Sequence, residues 1–99
     1  MAYRVGWSPR AIEDVDSIAA YIAQDSETYS SAVVRKIFHR VRQLIEFPKV
    51  GRIVPEFDDE EIREIFEYSY RIIYRISGDE ITIGTVIHGK RLLTMELKP

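Results

Sequence analysis

Apolar residues recur singly, then at three- and four-residue spacing, then singly again along this chain, and each change of period marks a change of element. Tyr3, Val5 and Trp7 take alternate positions in "YRVGW", which predicts a short opening strand over residues 3–7. Ser8-Pro9 then supplies an N-cap hydroxyl and a proline at the first helical position, where its missing N–H would have had no partner anyway. Ile12, Val15, Ile18, Ala19 and Ile22 follow as one helical stripe, with Glu13, Asp14 and Ser17 outside it. "AQDSETYS" breaks the stripe, and a second helix over roughly residues 28–46 carries Val34, Ile37, Phe38, Val41, Leu44 and Ile45 on one face. Two amphipathic helices joined by so few residues form an antiparallel hairpin. Phe47-Pro48 ends the second helix, and "PKVGRIVPEFDDE" reads as a loop punctuated by Pro48, Gly51 and Pro55.

From Glu61 the period becomes two, and "EIREIFEY", "YRIIYRIS" and "EITIGTVIH" predict three strands. Gly78-Asp79 is a two-residue turn signal of the Gly-X type, and such a turn dictates the register of its hairpin. Ser77 then faces Glu80. Ile76 opposes Ile81, Tyr74 opposes Ile83 and Ile72 opposes Thr85, giving an apolar face for the helices. The other face pairs Arg75 with Thr82, Ile73 with Gly84, Arg71 with Val86 and Ser69 with His88. On that uncovered face Arg71 and His88 are expected as diagonal neighbours about 7–8 Å apart. The expected fold class is α+β: an N-terminal strand and an antiparallel α-hairpin packed on one face of a small, mainly antiparallel sheet, in the order β-α-α-β-β-β.

With 99 residues the chain suits a single domain, residues 1–99, and an apolar fraction of 45% with eleven aromatics supplies a core. The absence of cysteine excludes disulfides and thiolate metal sites. No apolar run approaches the roughly 18 residues of a membrane span, and "MAYRVGWSPR" lacks the apolar stretch of a signal peptide, so a cytoplasmic protein without membrane contact is expected. The formal net charge of −2 conceals segregation: residues 35–52 hold six Lys or Arg against Glu46, and residues 53–64 hold six acids against Arg63. Bulk charge therefore does not mark a nucleic-acid binder, although a local basic zone steers anionic partners.

Candidate chemistry is sparse, and each feature has a plain structural reading beside the functional one. His88 is a general-base candidate because imidazole titrates near neutral pH, and it is equally a strand-end histidine bonded to a neighbour. Arg71 and Arg75 suit bidentate phosphate contacts, or carboxylates of a partner. Arg35, Lys36, His39, Arg40 and Arg42 lie opposite the apolar stripe of the second helix, where a solvated face is the ordinary expectation. The acids Glu56, Asp58, Asp59, Glu60 and Glu61 lack calcium-loop spacing, and Gly51-Arg52 is not a phosphate-binding loop, so neither metal nor cofactor is expected. Tyr70 and Tyr74 read as core; Tyr68 is left open between packing and base stacking.

The pieces "WSPRAIEDVDSIAAYIAQDS", "FPKVGRIVPEF", "IRE", "YRIIYRI" and "VIHGKRLL", in this order from Trp7 to Leu93, resemble the RelE/ParE superfamily of type II toxin–antitoxin (plasmid stabilisation) toxins. The resemblance implies a helical hairpin on a small antiparallel sheet, in agreement with the residue pattern. It also implies two alternative activities. RelE-like members are ribosome-dependent endoribonucleases that cut mRNA; ParE-like members are described as inhibitors of DNA gyrase without known catalytic residues.

On the ribonuclease reading, Arg71 and Arg91 match two functional arginines of that branch, His88 stands in for its acid or base, and Arg63 is a further cation. Cleavage through a ribose 2′-hydroxyl needs a base, cations for the crowded phosphate and an acid for the leaving oxygen. The branch's two lysines are replaced by the stretch Ile62, Arg63 and Glu64, and its late tyrosine has Leu97 at the nearest position. "FPKVGRIVPEF" and "HGKR" resemble the ParE-type pattern more. The expected function is thus a toxin that binds gyrase and is neutralised by a cognate antitoxin, whose complex with the toxin binds operator DNA through the antitoxin. Arg71, Ile73, Arg75, Val86 and Lys90 are the expected partner-binding residues, and the ribosome with its mRNA is the alternative target.

Overall fold

Ser8 caps the first helix as the Ser-Pro pair implies: its Oγ accepts the Ala11 N–H at 3.0 Å, and Pro9 sits in the first turn. The structure, a computed structural model, describes residues 2–91, 93–94 and 97–99. Its elements are β1 (Arg4–Trp7), α1 (Pro9–Ala23), α2 (Glu27–Gln43), β2 (Arg52–Ile53), β3 (Ile62–Glu67), β4 (Tyr70–Ser77) and β5 (Glu80–His88). The five strands lie in the order β1-β5-β4-β3-β2, with β1 parallel to β5 and the other pairs antiparallel. The fold class expected from the pattern is the one observed, with the two-residue β2 added inside what reads as a loop.

Both helices cover one side of the sheet. Ala11 and Val15 of α1 and Val33, Ile37 and Val41 of α2 meet Ile72, Tyr74, Ile81 and Ile83 in the main core. The α1 stripe holds at Val15, Ile18 and Ile22 and differs at its start, where Ala11 is buried while Ile12 is 51% exposed. The Ser8 N–H bonded to the Ile83 carbonyl at 2.9 Å pins the first turn against β5, so position 11 points inward. Regular α2 stops at Gln43 rather than Glu46. Leu44, Ile45 and Glu46 turn back onto carbonyls three residues earlier, tightening the end as helix termini often do.

The β4–β5 hairpin begins in the register its turn dictates and then leaves it. Gly78 has φ +60°, and Ser77↔Glu80, Ile76↔Ile81, Arg75↔Thr82 and Tyr74↔Ile83 are paired as expected. A bulge then intervenes beside Ile73/Tyr74, after which Ile73 faces Thr85, Ile72 faces Val86, Arg71 faces Ile87 and Tyr70 faces His88. The expected pairs of Ile73 with Gly84, Ile72 with Thr85, Arg71 with Val86 and Ser69 with His88 are therefore corrected. Helix α1 holds the extra residue in place. Ser8 Oγ donates to the Gly84 carbonyl at 2.8 Å, while the Asp14 carboxylate accepts from Thr85 Oγ1 at 2.6 Å and from the Val86 N–H at 2.9 Å. Gly84 itself admits no side chain, because a Cβ there would collide with the ring of Pro99.

The second side of the sheet is not open. Val54, Ile62, Ile73, Ile87, Leu93 and Leu97 form a smaller core there, with Phe57 against it. Arg75 adds a polar tie, donating from Nε and Nη2 to the main-chain oxygen of Pro99 at 2.9 and 2.6 Å. The expectation that this side waits for another chain is thus corrected: the loop around Val54 and the segment containing Leu93 and Leu97 cover it.

Candidate functional site

Arg71 and Glu64 stand on the tail-covered side of β4 and β3, and the side chain of Glu64 is fully buried while that of Arg71 is 6% exposed. Each guanidinium nitrogen of Arg71 has a carboxylate oxygen in contact. Nε reaches Glu64 Oε1 at 2.6 Å, and Nη1 and Nη2 grip the two oxygens of Glu56 at 2.8 and 3.0 Å. Arg52 closes the chain on the outside, its Nε 2.5 Å from Glu64 Oε2. Two cations and two anions thus neutralise one another, as burial of charge demands. The cluster also clasps the covering segment, for Glu56 accepts the Leu93 N–H at 3.3 Å and Arg71 Nη1 donates to the Arg91 carbonyl at 3.4 Å.

Hydrogen bonding from Arg71 pulls the Glu56 carboxyl down from 4.5 to about 2, and Glu56 and Glu64 hold the Arg71 guanidinium above its ordinary range. A carboxyl depressed in the fold stabilises it above the unfolded value and loses that contribution as pH falls through the folded one. The stability difference between wild type and Glu56→Gln is therefore expected to be complete above pH 4.5 and to shrink toward pH 2. Urea midpoints of the two proteins across that range check it.

The other expected site residues are dispersed. The bulge turns His88 to the helix side, opposite Tyr70, with ring centroids 6.0 Å apart, so it does not share a face with Arg71. Arg63 opposes Tyr74 on the helix side and donates to the carbonyls of Gly51 and Glu60 at 3.0 and 3.2 Å. Arg91 is exposed beyond β5. Of the expected partner-binding residues, Arg71, Ile73 and Val86 are buried, Val86 in the main core and Ile73 in the smaller one; Arg75 is half-buried beside Pro99, and Lys90 is exposed. Glu64 and Glu56 were not among the expected residues. The alternation Ile62, Glu64, Phe66 puts Glu64 on the face of Arg71 once β3 and β4 are paired through Tyr68-Ser69, which is a legible signal; Glu56, in a loop, leaves none.

A different surface is open. Between the edge strand β1 and α2 runs a groove of about 950 Å³ lined by Tyr3, Val5, Trp7, Phe38, Val41 and Ile45, with Arg35, His39 and Arg42 on its rim. Trp7 and Phe38 meet in a tilted arrangement, ring centroids 5.1 Å apart, and Phe38, expected in the core, is 42% exposed there. β1 pairs only with β5, so its outer backbone groups are left unpaired by the sheet. Among the described residues no cluster of His, Asp or Glu is gathered to hold a metal, and no helix is long and apolar enough to cross a membrane.

A helical hairpin on one side of a mixed five-stranded sheet in the order β1-β5-β4-β3-β2 is the fold shared by RelE/ParE-like proteins. The profile of the family described as ParE toxin of the type II toxin–antitoxin system parDE matches residues 5–93, and the chain belongs to that family. The candidate toxin Y4kP of Sinorhizobium fredii is 36% identical over 85 residues, 86% of each chain. The fold is also that of solved structures of low identity. A chain of the chromosomal ParDE system of P. aeruginosa aligns at TM-score 0.71 and 20% identity over 87% of this chain and 95% of its own. The RelBE2 toxin–antitoxin complex of Mycobacterium tuberculosis gives 0.64 and 18% over 89% and 99%, and a mutant E. coli RelE in the free state gives 0.65 and 17% over 91% and 86%.

Proposed function

We propose that this toxin acts by binding, with DNA gyrase as its target, and that a cognate antitoxin neutralises it. The observation that carries the reading is the state of Arg71. An arginine that stabilises a transferring phosphate must present free N–H donors to it. Here each guanidinium nitrogen already has a carboxylate in contact, and two glutamates beside the site repel a phosphate. His88 and Arg63 sit on the other side of the sheet, so the four residues of the ribonuclease alternative do not converge. Membership of the ParE family supports the same choice.

The groove beside β1 is the seat we assign to the antitoxin. An extended segment adding to the β1 edge, with apolar side chains toward Trp7 and Phe38 and acids toward Arg35 and Arg42, matches its chemistry. The toxin–antitoxin complex is expected to meet operator DNA through the antitoxin. Purified toxin freed of antitoxin is expected to inhibit supercoiling by gyrase and to trap DNA breaks. Supercoiling left untouched at toxin in excess over gyrase would overturn the reading.

A further inference from the structure

The turn between β3 and β4 is the same two-residue kind as Gly78-Asp79, but its first central position, where φ is 55°, is occupied by Tyr68 instead of glycine. A bulky residue in the left-handed region is uncommon, and such positions persist where something other than local stability retains them. The ring held there is 44% exposed. It is not alone: Tyr29 meets it edge-on at 6.1 Å, and Lys36 Nζ lies 5.5 Å from its centroid. Tyr70, whose hydroxyl is pushed up chiefly by burial, carries His88 edge-on with ring centroids 6.0 Å apart. Where the β3–β4 turn meets the first turn of α2, Tyr29 and Tyr68 therefore present an exposed aromatic pair.

Lys36 joins this pair to a shallow, open depression of about 410 Å³ lined by Ala32, Arg35, Lys36, His39, Arg40 and Glu67. The one acid in it is already taken by Arg40, 3.4 Å away. Residues 28–45 contain no Asp or Glu, and among the described residues Arg35 and Lys36 make no ion pair. Exposed rings beside two cations, Arg35 and Lys36, that make no ion pair among the described residues have the composition that binds single-stranded nucleic acid without sequence preference.

We infer that Tyr68, Tyr29 and Lys36 form a binding surface for single-stranded nucleic acid, separate from the Arg71 cluster and bordering the groove beside β1 through Arg35 and His39. Stacking and phosphate charge are common to DNA and RNA, so the sugar is not selected. The inference is independent of whether gyrase is the target.

The test is fluorescence anisotropy with a labelled thymidine oligonucleotide of about 12 nucleotides, and a uridine oligonucleotide of equal length, at about 50 mM salt. Both are expected to bind with Kd values agreeing within about threefold, and affinity should fall with salt. Tyr68→Gly is the decisive variant, since glycine suits the backbone there: its urea midpoint should equal or exceed that of wild type, while oligonucleotide affinity drops about tenfold. Lys36→Gln should weaken binding and reduce the salt slope by about one. The inference is overturned by any of three results: no binding of either oligonucleotide up to about 100 µM, Tyr68→Gly binding like wild type or proving less stable, or polyglutamate of equal charge competing as well as the oligonucleotide. That last result would mark an acidic protein surface as the occupant.

Discussion

Replacing Arg71 with methionine is expected to cost about 3 kcal/mol of stability, at the lower end of the range for breaking a buried ion pair. The loss leaves Glu64 fully buried with only Arg52 beside it, and Arg52 is 61% exposed, which keeps the figure from the upper end. The companion experiment is the double replacement Arg71→Met with Glu64→Met. Removing both partners abolishes the uncompensated charge, so the double variant should be more stable than the two single losses added together, by about 1–2 kcal/mol. Urea denaturation with unchanged m-values reads both quantities. An Arg71→Met protein within about 0.5 kcal/mol of wild type would mean that the cluster contributes little and that Arg71 is freer than its geometry indicates. The consequence for function is practical: loss of toxicity in any Arg71 variant reports on folding until its stability has been measured.

The second large effect is expected at Asp14. Its carboxylate is the partner of the Thr85 hydroxyl and of the Val86 N–H, both in buried residues of the bulged stretch. Asp14→Ala strips both donors and should cost about 2–4 kcal/mol, because hydrogen bonds to a charged acceptor are worth about 1.5–3 kcal/mol each and not all of that is lost on relaxation. Asp14→Asn keeps a carbonyl oxygen in place and should cost less than half as much. Amide hydrogen exchange localises the effect: the Val86 amide should exchange faster in Asp14→Ala while amides near the Gly78 turn keep their protection. Uniform loss of protection without a local change at Val86 would contradict the role given to Asp14.

Asp14 also explains what was legible in the chain and what was not. Short-range signals were readable because the residues that make them are neighbours: Ser8-Pro9 opens α1, and Gly78 starts its hairpin in the register its turn demands. The bulge was invisible because Ser8 and Asp14, more than seventy residues earlier, determine it. One extra residue reverses the facing of everything beyond it, which is why His88 and Val86 lie on the side opposite to expectation. The covering of the second side was partly legible: Leu93 and Leu97 fall in the alternating stretch "LTMELK", a period-two pattern beyond the three predicted strands. They pack with Ile73 in the smaller core, and the alternation that made Arg71 look exposed was matched by Glu64 on the next strand. Charge in the middle of the sheet is thus satisfied within the chain, which supports the proposal that it is not offered to a substrate.

The most direct measurement of that conclusion is 5′-end mapping of a message in a translating extract supplied with purified, antitoxin-free protein. With Arg71 held by Glu64 and Glu56, the pattern of 5′ ends should match the extract without toxin at concentrations that inhibit gyrase. New ends at ribosome-bound codons, retained on addition of wild type and lost with a folded Arg91→Ala variant, would contradict it and make the protein a ribonuclease.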